Sequence, residues 1–357
     1  MFIYEKYKTK YFSLFACCIS VKGATRSLIC DSQRGNFHAV PNDLHDILTK
    51  NKFCRIDQLF DIFEAKNSDI LIDYFSFLTQ NEYIFWCDSI EELHLFPPIS
   101  QTFEFPRFIA NAIIERNKYS PYSINSVVKE LHELTCKDVE MRFYDPIDLE
   151  NMSPFLASFQ DTSIENIIMY LPCYNVANEA IKTFLIQNNR IHSICFFGSS
   201  YNKIYKLHEY SSTRIIFTDQ IISDNTHCGM IMSEYFTCNL PTMIESFHFN
   251  TCLNRKISID AEGNIKNCFS MTKSYGNIKD TTLKEAIEKQ GFKDMWYIHK
   301  DQIEVCKDCE FRHICTDCRA YIQDPNNIYS KPAKCSYDPY TATWGAENPT
   351  DNVLHGQ

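Results

Sequence analysis

Seven cysteines fall between positions 252 and 335, and they are spaced rather than scattered. Cys252 is followed by Gly263 and Cys268; a spacer leads to Cys306 and Cys309, then Cys315 and Cys318, and finally Cys335. Thiolates at this density select iron–sulfur clusters or zinc, because hard cations prefer oxygen and isolated core cysteines need no spacing rule. The rest of the chain reads as a platform around this segment.

At 357 residues, 45% of them hydrophobic, the chain has material for two or three domains, each with a core. Its formal charge of -10 argues against a general binder of phosphate backbones, so nucleic acid is not expected as a partner. The 17 cysteines are an odd count in a long chain and partly in C-x2-C spacing, which fits metal ligation in a reducing cytosol better than a disulfide framework. Lys6, Lys8 and Lys10 precede the apolar run Tyr11 to Val21 and imitate a signal peptide, but the run meets Lys22 without a small-residue cleavage site and reads as a buried strand. No stretch has the length and apolarity of a membrane helix, so a cytoplasmic protein with no membrane partner is expected.

The first 95 residues suggest a small α+β unit. Tyr11 to Val21 and Arg26 to Cys30 read as strands about a turn at Lys22-Gly23-Ala24. Three short helices follow, marked by Leu44, Ile47 and Leu48, by Ile56, Leu59, Phe60 and Phe63, and by Leu71, Tyr74, Phe75 and Leu78; Tyr83 to Cys87 closes the unit as a strand. The order is winged-helix-like and resembles the peptide-recognition domains of enzymes that mature ribosomally made peptides, where a leader peptide adds as a strand to a sheet edge. A plain structural domain is the other reading.

Beyond Pro97-Pro98 strands and helices alternate. Strands are expected at Phe105 to Ile114, Val139 to Tyr144, Glu165 to Leu171, Arg190 to Phe197 and Arg214 to Thr218, with helices carrying Ile124, Val127, Leu131 and Leu134, and Ala177, Ala180, Ile181, Phe184 and Leu185. This is the signature of βαβ units on a parallel sheet, a partial (βα) barrel over residues 96–245. The expected fold class is therefore α/β, with a winged-helix-like unit at 1–95, the barrel, a metal-binding segment at 246–345 and a tail at 346–357.

The thiol order from Cys252 to Cys335 resembles the SPASM domain, the extension of radical SAM peptide-modifying enzymes that holds auxiliary [4Fe-4S] clusters. The sequence departs from that pattern in having two residues between Cys315 and Cys318 instead of three. Radical SAM enzymes also carry a C-x3-C-x2-C loop after the first barrel strand. The corresponding stretch here, Arg116-Asn117-Lys118-Tyr119-Ser120-Pro121-Tyr122, has no cysteine, and Phe143-Tyr144-Asp145-Pro146 stands where the glycine-rich turn belongs. Cys17, Cys18, Cys30, Cys54, Cys87, Cys136, Cys173 and Cys195 do not supply the triad and read as core thiols. The combination resembles the SPASM-domain peptide maturases of grasp-with-spasm systems. That resemblance implies a precursor peptide and an ATP-grasp ligase as partners, with S-adenosylmethionine not expected as cofactor. It also implies that deleting residues 1–95 abolishes precursor binding and leaves the clusters intact.

By the same resemblance Cys306, Cys309, Cys315 and Cys335 make one complete [4Fe-4S] set, and Cys252, Cys268 and Cys318 a second set one ligand short. Cys228, Cys238, His248 and Asp260 are candidates for the missing ligand, or the position stays open. Lys256 to Ile265 alternates about Glu262-Gly263 as a hairpin that would bring Cys252 and Cys268 together. Thr282 and Glu285 stand at capping-box spacing before a helix expected to cover the clusters. His313 lies among the ligands, and Lys307, Asp308, Arg312, Asp317 and Arg319 would place charge around the sulfurs. C-x2-C pairs serve zinc equally well, so a zinc-stapled scaffold is the alternative. No catalytic motif or ATP-binding loop is present.

Overall fold

The structure, a computed structural model, describes residues 2–63, 68–174 and 177–345; the expected tail at 346–357 lies outside them. The N-terminal part runs α1 (Tyr4–Tyr7), β1 (Tyr11–Leu14), β2 (Cys18–Lys22), β3 (Ser27–Asp31), β4 (Asn36–Val40), α2 (Asn42–Lys50), α3 (Ile56–Ile62), α4 (Ser68–Gln80), β5 (Ile84–Cys87) and α5 (Ile90–His94). The run expected as one strand from Tyr11 is broken at residues 15–17. β1 leaves to pair antiparallel with β5, whereas β2 opens the antiparallel sheet β2-β3-β4. β4 was not foreseen, because its exposed Asn36, His38 and Ala39 show no apolar alternation. Leu44, Ile47, Leu59, Leu71, Phe75 and Leu78 pack with Phe12 and Tyr83 in a core of their own.

The second part runs β6 (Asn111–Arg116), α6 (Ile124–Glu133), β7 (Asp138–Phe143), α7 (Leu149–Ala157), β8 (Asn166–Pro172), α8 (Asn178–Gln187), β9 (Ile191–Phe197), β10 (Lys203–Lys206), β11 (Arg214–Thr218), α9 (Leu240–Ser246), β12 (Lys256–Ile259), β13 (Ile265–Lys266) and α10 (Leu283–Glu288); a short ribbon, β14 (Tyr337–Asp338) and β15 (Thr343–Trp344), follows. The strand expected from Phe105 begins only at Asn111; Phe105 instead stacks on Phe103, which packs against Phe249. The main sheet has eight strands in the order β10-β11-β9-β8-β7-β6-β12-β13. β12, β6, β7, β8, β9 and β11 are parallel, with an antiparallel strand at each edge. The sheet is thus open.

β12 and β13 are the hairpin foreseen around Gly263, and β12 docks parallel to β6, Lys256 opposite Asn111. The metal-binding segment therefore supplies two strands of the main sheet. α10 has its capping box, with the Thr282 hydroxyl accepting from the Glu285 amide. Its apolar face packs in the core cluster that also holds Cys268, with Cys228 and Cys252 against it. Leu283, Ala286 and Ile287 belong to the sheet core, and the Leu283 amide donates to Glu130 of α6 at 2.6 Å.

One face of the parallel strands is apolar: Val139, Met141 and Phe143 pack with Ile124, Val127, Val128 and Leu131 of α6. The other face is polar. Register sets Glu115 of β6 beside Arg142 of β7 and Tyr170 of β8, and Ile113 beside Glu140 and Ile168. A face this polar is only stable if its groups find partners, and it is here that the metal-binding segment sits.

The N-terminal unit is not free of that segment. Val21, Leu28 and Cys30 share a core with Ile231, Cys238, Met243, Phe311, Ile314, Cys315 and Tyr337. The Ala24 amide donates to the Asp308 carbonyl at 2.7 Å, and Arg26 Nε donates to the wholly buried carboxylate of Glu310 at 2.7 Å. A Cβ on Gly23 would meet Arg26 O at 2.5 Å and the Glu310 backbone nitrogen at 2.9 Å. Gly23 is therefore required by close approach. The expectation that residues 1–95 can be removed without consequence for the thiols is corrected by this shared core.

Candidate metal centre

Two groups of four thiols assemble from distant stretches. In the first, Cys306 opens a single 3-10 turn, Cys306–Asp308, and the Cys309 amide donates back to the Cys306 carbonyl at 3.0 Å. Cys315 follows after the turn at Phe311 to Ile314, and Cys335 is placed by a bridge between Ile231 and Cys335. Burial pushes the Cys315 thiol up to about 12; Lys300 opposes this, and Cys335 and Cys306 reinforce it. Cys309 is likewise pushed up by burial and by Cys315. Lys300 is buried with Nζ 3.5 Å from Cys315 Sγ and 3.7 Å from Asp317. Burial acts against its charge, and Cys315, Cys306, Asp317 and Cys335 together outweigh it.

The second group is Cys228, Cys252, Cys268 and Cys318. Burial lifts Cys268 to about 12, opposed by Lys256 and reinforced by Cys252 and Cys228. Cys318 is raised to about 11 by burial, with Cys252 and Cys228 contributing. Lys256 sits with Nζ 3.4 Å from Cys252 Sγ. Burial acts against its charge, and Cys252, Cys268, Cys228 and Glu140 outweigh it. Gly229 has φ +86°, and a Cβ there would lie 2.7 Å from Cys318 Sγ. The chain after Cys228 is pressed against Cys318.

Of the four candidates for the missing member, Cys228 is the one brought to the group. Cys238 donates to the carbonyls of Asp31 and Asn36 at 3.5 and 3.2 Å. His248 Nε2 is 2.7 Å from the Gln101 carbonyl. Asp260 caps the hairpin turn, accepting from the Glu262 and Asn264 amides and pairing with Lys266 at 2.9 Å. His313 is buried against Ser246 Oγ at 2.9 Å and the Phe247 ring, and burial lowers it to about 4, so it is neutral.

The charges expected around the sulfurs act mostly as framework. Arg312 binds Asp301 and the carbonyls of Lys22 and Cys309, and Arg319 binds Asp317 and the carbonyls of Ile328 and Ser330. Asp308 accepts from the Tyr340 hydroxyl at 2.7 Å. Asp317 and Arg319 reach the first group, Asp317 adding to the burial that raises the Cys306 thiol and Arg319 lowering it. Buried Asn250 links the two groups: its Nδ2 donates to Asp317 at 2.6 Å, and its Oδ1 accepts from the Cys252 and Leu253 amides at 3.0 and 2.9 Å. Neither lysine nor Asn250 was foreseen, since a polar residue in a cysteine-rich loop reads as solvated until its surroundings are known.

The second group lies on the polar face of the main sheet. Arg142 is ion-paired to Glu140 and lies 4.3 Å over the Phe269 ring and 5.0 Å over Tyr170. The loop after β6 is tied to the segment after β7: the Lys118 amide donates to Asp145 at 2.7 Å, and Arg116 stacks on Tyr122 and on Phe155 of α7.

Sulfur spacing bears on the choice of metal. A tetrahedral zinc with bonds of about 2.3 Å holds its thiolates about 3.8 Å apart, whereas a four-iron cube holds them wider at separate corners. Among the described residues, the group of three or more metal-donor side chains whose ligand atoms all lie within 4.8 Å of one another is Cys17, Cys18 and Asp31. Neither four-thiol group is drawn in that far.

Residues 251–310 match SPASM, an iron-sulfur cluster-binding domain. Among solved structures the chain is similar to Streptococcus suis SuiB bound to S-adenosylmethionine, at 9% identity and a TM-score of 0.34 over 87% of this chain and 96% of that one. It is also similar to SuiB bound to precursor peptide SuiA, at 9% identity and a TM-score of 0.31 over 90% and 98%. No curated protein matches the chain in sequence. Among the described residues no helix is long and apolar enough to cross a membrane.

Proposed function

We propose that this chain is an iron–sulfur protein of ribosomal peptide maturation, holding one [4Fe-4S] cluster on Cys306, Cys309, Cys315 and Cys335 and a second on Cys228, Cys252, Cys268 and Cys318. The observation that carries this is that each group of four thiols has one ammonium, Lys300 or Lys256, within 3.5 Å of a sulfur. A cube with four thiolates is an anion, and a buried ammonium offsets its charge. The clusters would supply one-electron chemistry. The protein's own residues position the thiolates, exclude water and tune the potential.

The rest of the reading concerns partners. The chain would bind a precursor peptide and act in the cytoplasm beside an ATP-grasp ligase, without cleaving S-adenosylmethionine. The winged-helix-like unit is the expected docking site. Among the described residues β2 pairs on one side only, with β3, and a cleft of about 690 Å³ runs past it, lined by Cys18, Ile19, Ser20, Phe53, Phe96 and Ile244 among others. A free strand edge beside an apolar cleft suits β-augmentation, in which main-chain hydrogen bonds bind and side-chain pockets select.

Metal analysis of anaerobically purified protein tests the cluster reading. The wild type should hold about eight iron and eight sulfide per chain, and Cys228→Ala and Cys309→Ala should each hold about half. Full iron in Cys228→Ala would remove that residue from the second set, and zinc without sulfide would make the chain a scaffold. For the peptide, a precursor peptide that binds the wild type should bind with lower affinity to a Phe53→Ala, Phe96→Ala variant whose iron is unchanged; equal affinity would move the docking site elsewhere.

A further inference from the structure

We infer that the N-terminal unit carries a metal site of its own, in which Cys17, Cys18 and Asp31 bind a soft divalent cation of the zinc class. The three ligand atoms lie within 4.8 Å of one another, and the two sulfurs are 3.9 Å apart. That matches the spacing of about 3.8 Å between thiolates on one tetrahedral zinc. It sets this group apart from the two wider groups of four.

The fold builds the site from the hairpin register. Cys17 ends the turn after β1, Cys18 begins β2, and Asp31 at the end of β3 is the register partner of Cys18. Ser32 fixes the turn, its amide and hydroxyl donating to the Cys17 carbonyl at 2.9 and 2.8 Å. Asp31 Oδ1 accepts from the Gln33 and Arg34 amides at 3.0 Å, whereas Oδ2 has only a long contact of 3.3 Å to Arg34. Oδ2 thus keeps lone-pair capacity for a further partner.

Charge and access agree. Two thiolates, a carboxylate and a divalent ion sum to one negative charge; Arg34 stands 3.3 Å from Asp31 and is shared with Glu82, so the set with both keeps that one negative charge. Binding releases the two thiol protons, one from each cysteine. Without an ion, two thiols crowd a carboxylate that is 1% exposed, and burial with Cys17 and Asp31 nearby drives the Cys18 thiol strongly toward its protonated form. Cys17 and Asp31 both line a cavity of about 390 Å³. Two polar atoms on its wall, Thr79 Oγ1 and Trp86 Nε1, are buried without a partner. A cation can enter there and complete its tetrahedron with water. Bound, it would tie the turn after β1 to the end of β3 at the junction of the two small sheets.

The test uses the full chain, stripped of adventitious zinc with its iron retained, and titrated with zinc chloride against a chromophoric chelator. The wild type should take up about one tightly held zinc per chain. Cys17→Ser, Cys18→Ser and Asp31→Asn should each weaken that binding by at least about tenfold, because loss of even a supporting partner costs 10- to 100-fold. Iron and sulfide should stay at the wild-type level, which separates this site from the clusters. Should Cys18→Ser misfold and lose iron, the half-buried Cys17 and the near-isosteric Asp31→Asn decide the matter. No zinc uptake by the wild type, unchanged affinity in those two variants, or a Cys17–Cys18 disulfide in the anaerobic protein would overturn the inference.

Discussion

Arg26→Met is the substitution that most directly tests the union of the N-terminal unit with the metal-binding segment. Arg26 Nε stands 2.7 Å from Glu310, whose side chain is 0% exposed, and the Tyr337 hydroxyl donates to the same carboxylate. The other Glu310 oxygen has no partner. Two unit charges about 4 Å apart at an effective dielectric of about 20 attract by about 4 kcal/mol. Removing one partner of a buried pair costs about 3–5 kcal/mol, because the other charge stays desolvated. Arg26 is 35% exposed, so the lower end applies, and about 3 kcal/mol of stability should be lost. Glu310→Gln removes the stranded charge and should recover most of it. Anaerobic urea unfolding of the four chains of this cycle, followed by far-ultraviolet circular dichroism and by visible cluster absorbance, measures the coupling. Cluster absorbance should be lost at lower urea in Arg26→Met. A shift under about 0.5 kcal/mol with unchanged cluster loss would refute the argument, since an independent N-terminal unit would unfold without disturbing the thiols.

Lys300→Met removes a positive charge 3.5 Å from Cys315 Sγ, which would stand about 6 Å from an iron held on that sulfur. At an effective dielectric of about 20 this is about 3 kcal/mol, or about 120 mV of lowered potential for a one-electron couple, because the reduced cluster carries the extra negative charge. An electron paramagnetic resonance titration reads it, and an unchanged potential would leave Lys300 paired with Asp317 alone. Gly229→Ala should lose about half the iron, the half held on Cys318, since the new Cβ would lie 2.7 Å from that sulfur and φ is +86°; full iron would show that the segment gives way. Burial raises Glu245 to about 7, opposed by its Asn254 bond, Arg255 and Lys256. Its folded pKa exceeds the ordinary 4.5, so the folded state holds the extra proton between those values, and stability falls as pH rises through the window. Glu245→Gln should match the wild type near pH 5 and exceed it by about 2 kcal/mol at pH 8, after allowance for partial exposure. A constant difference across pH would contradict this.

Local pattern was enough for much of the chain. The alternation of strand and helix, the hairpin about Gly263, the capping box at Thr282 and the seven spaced thiols were all legible, because each depends on neighbours within a few residues. Apolar runs misled where the chain changed partner. Tyr11 to Val21 is continuous in hydrophobicity, yet it breaks so that β1 can reach β5, some seventy residues away, and nothing local records that choice.

The site divides in the same way. Spacing alone singled out Cys252, Cys268, Cys306, Cys309, Cys315, Cys318 and Cys335 as candidate metal ligands, because thiols that share an ion must be delivered by turns of definite length. Tertiary structure decided what stands beside them. Cys228 comes from a loop between β11 and α9, Lys300 and Lys256 come beside sulfurs only when the sheet and the thiol loops pack together, and the Arg26–Glu310 pair joins positions 284 residues apart. Cys17 and Cys18 had looked like core thiols; Asp31 reaches them only across the register of β2 and β3. Burial and long-range pairing set the charge and donor geometry of these groups, and neither is written in the spacing of one stretch of chain.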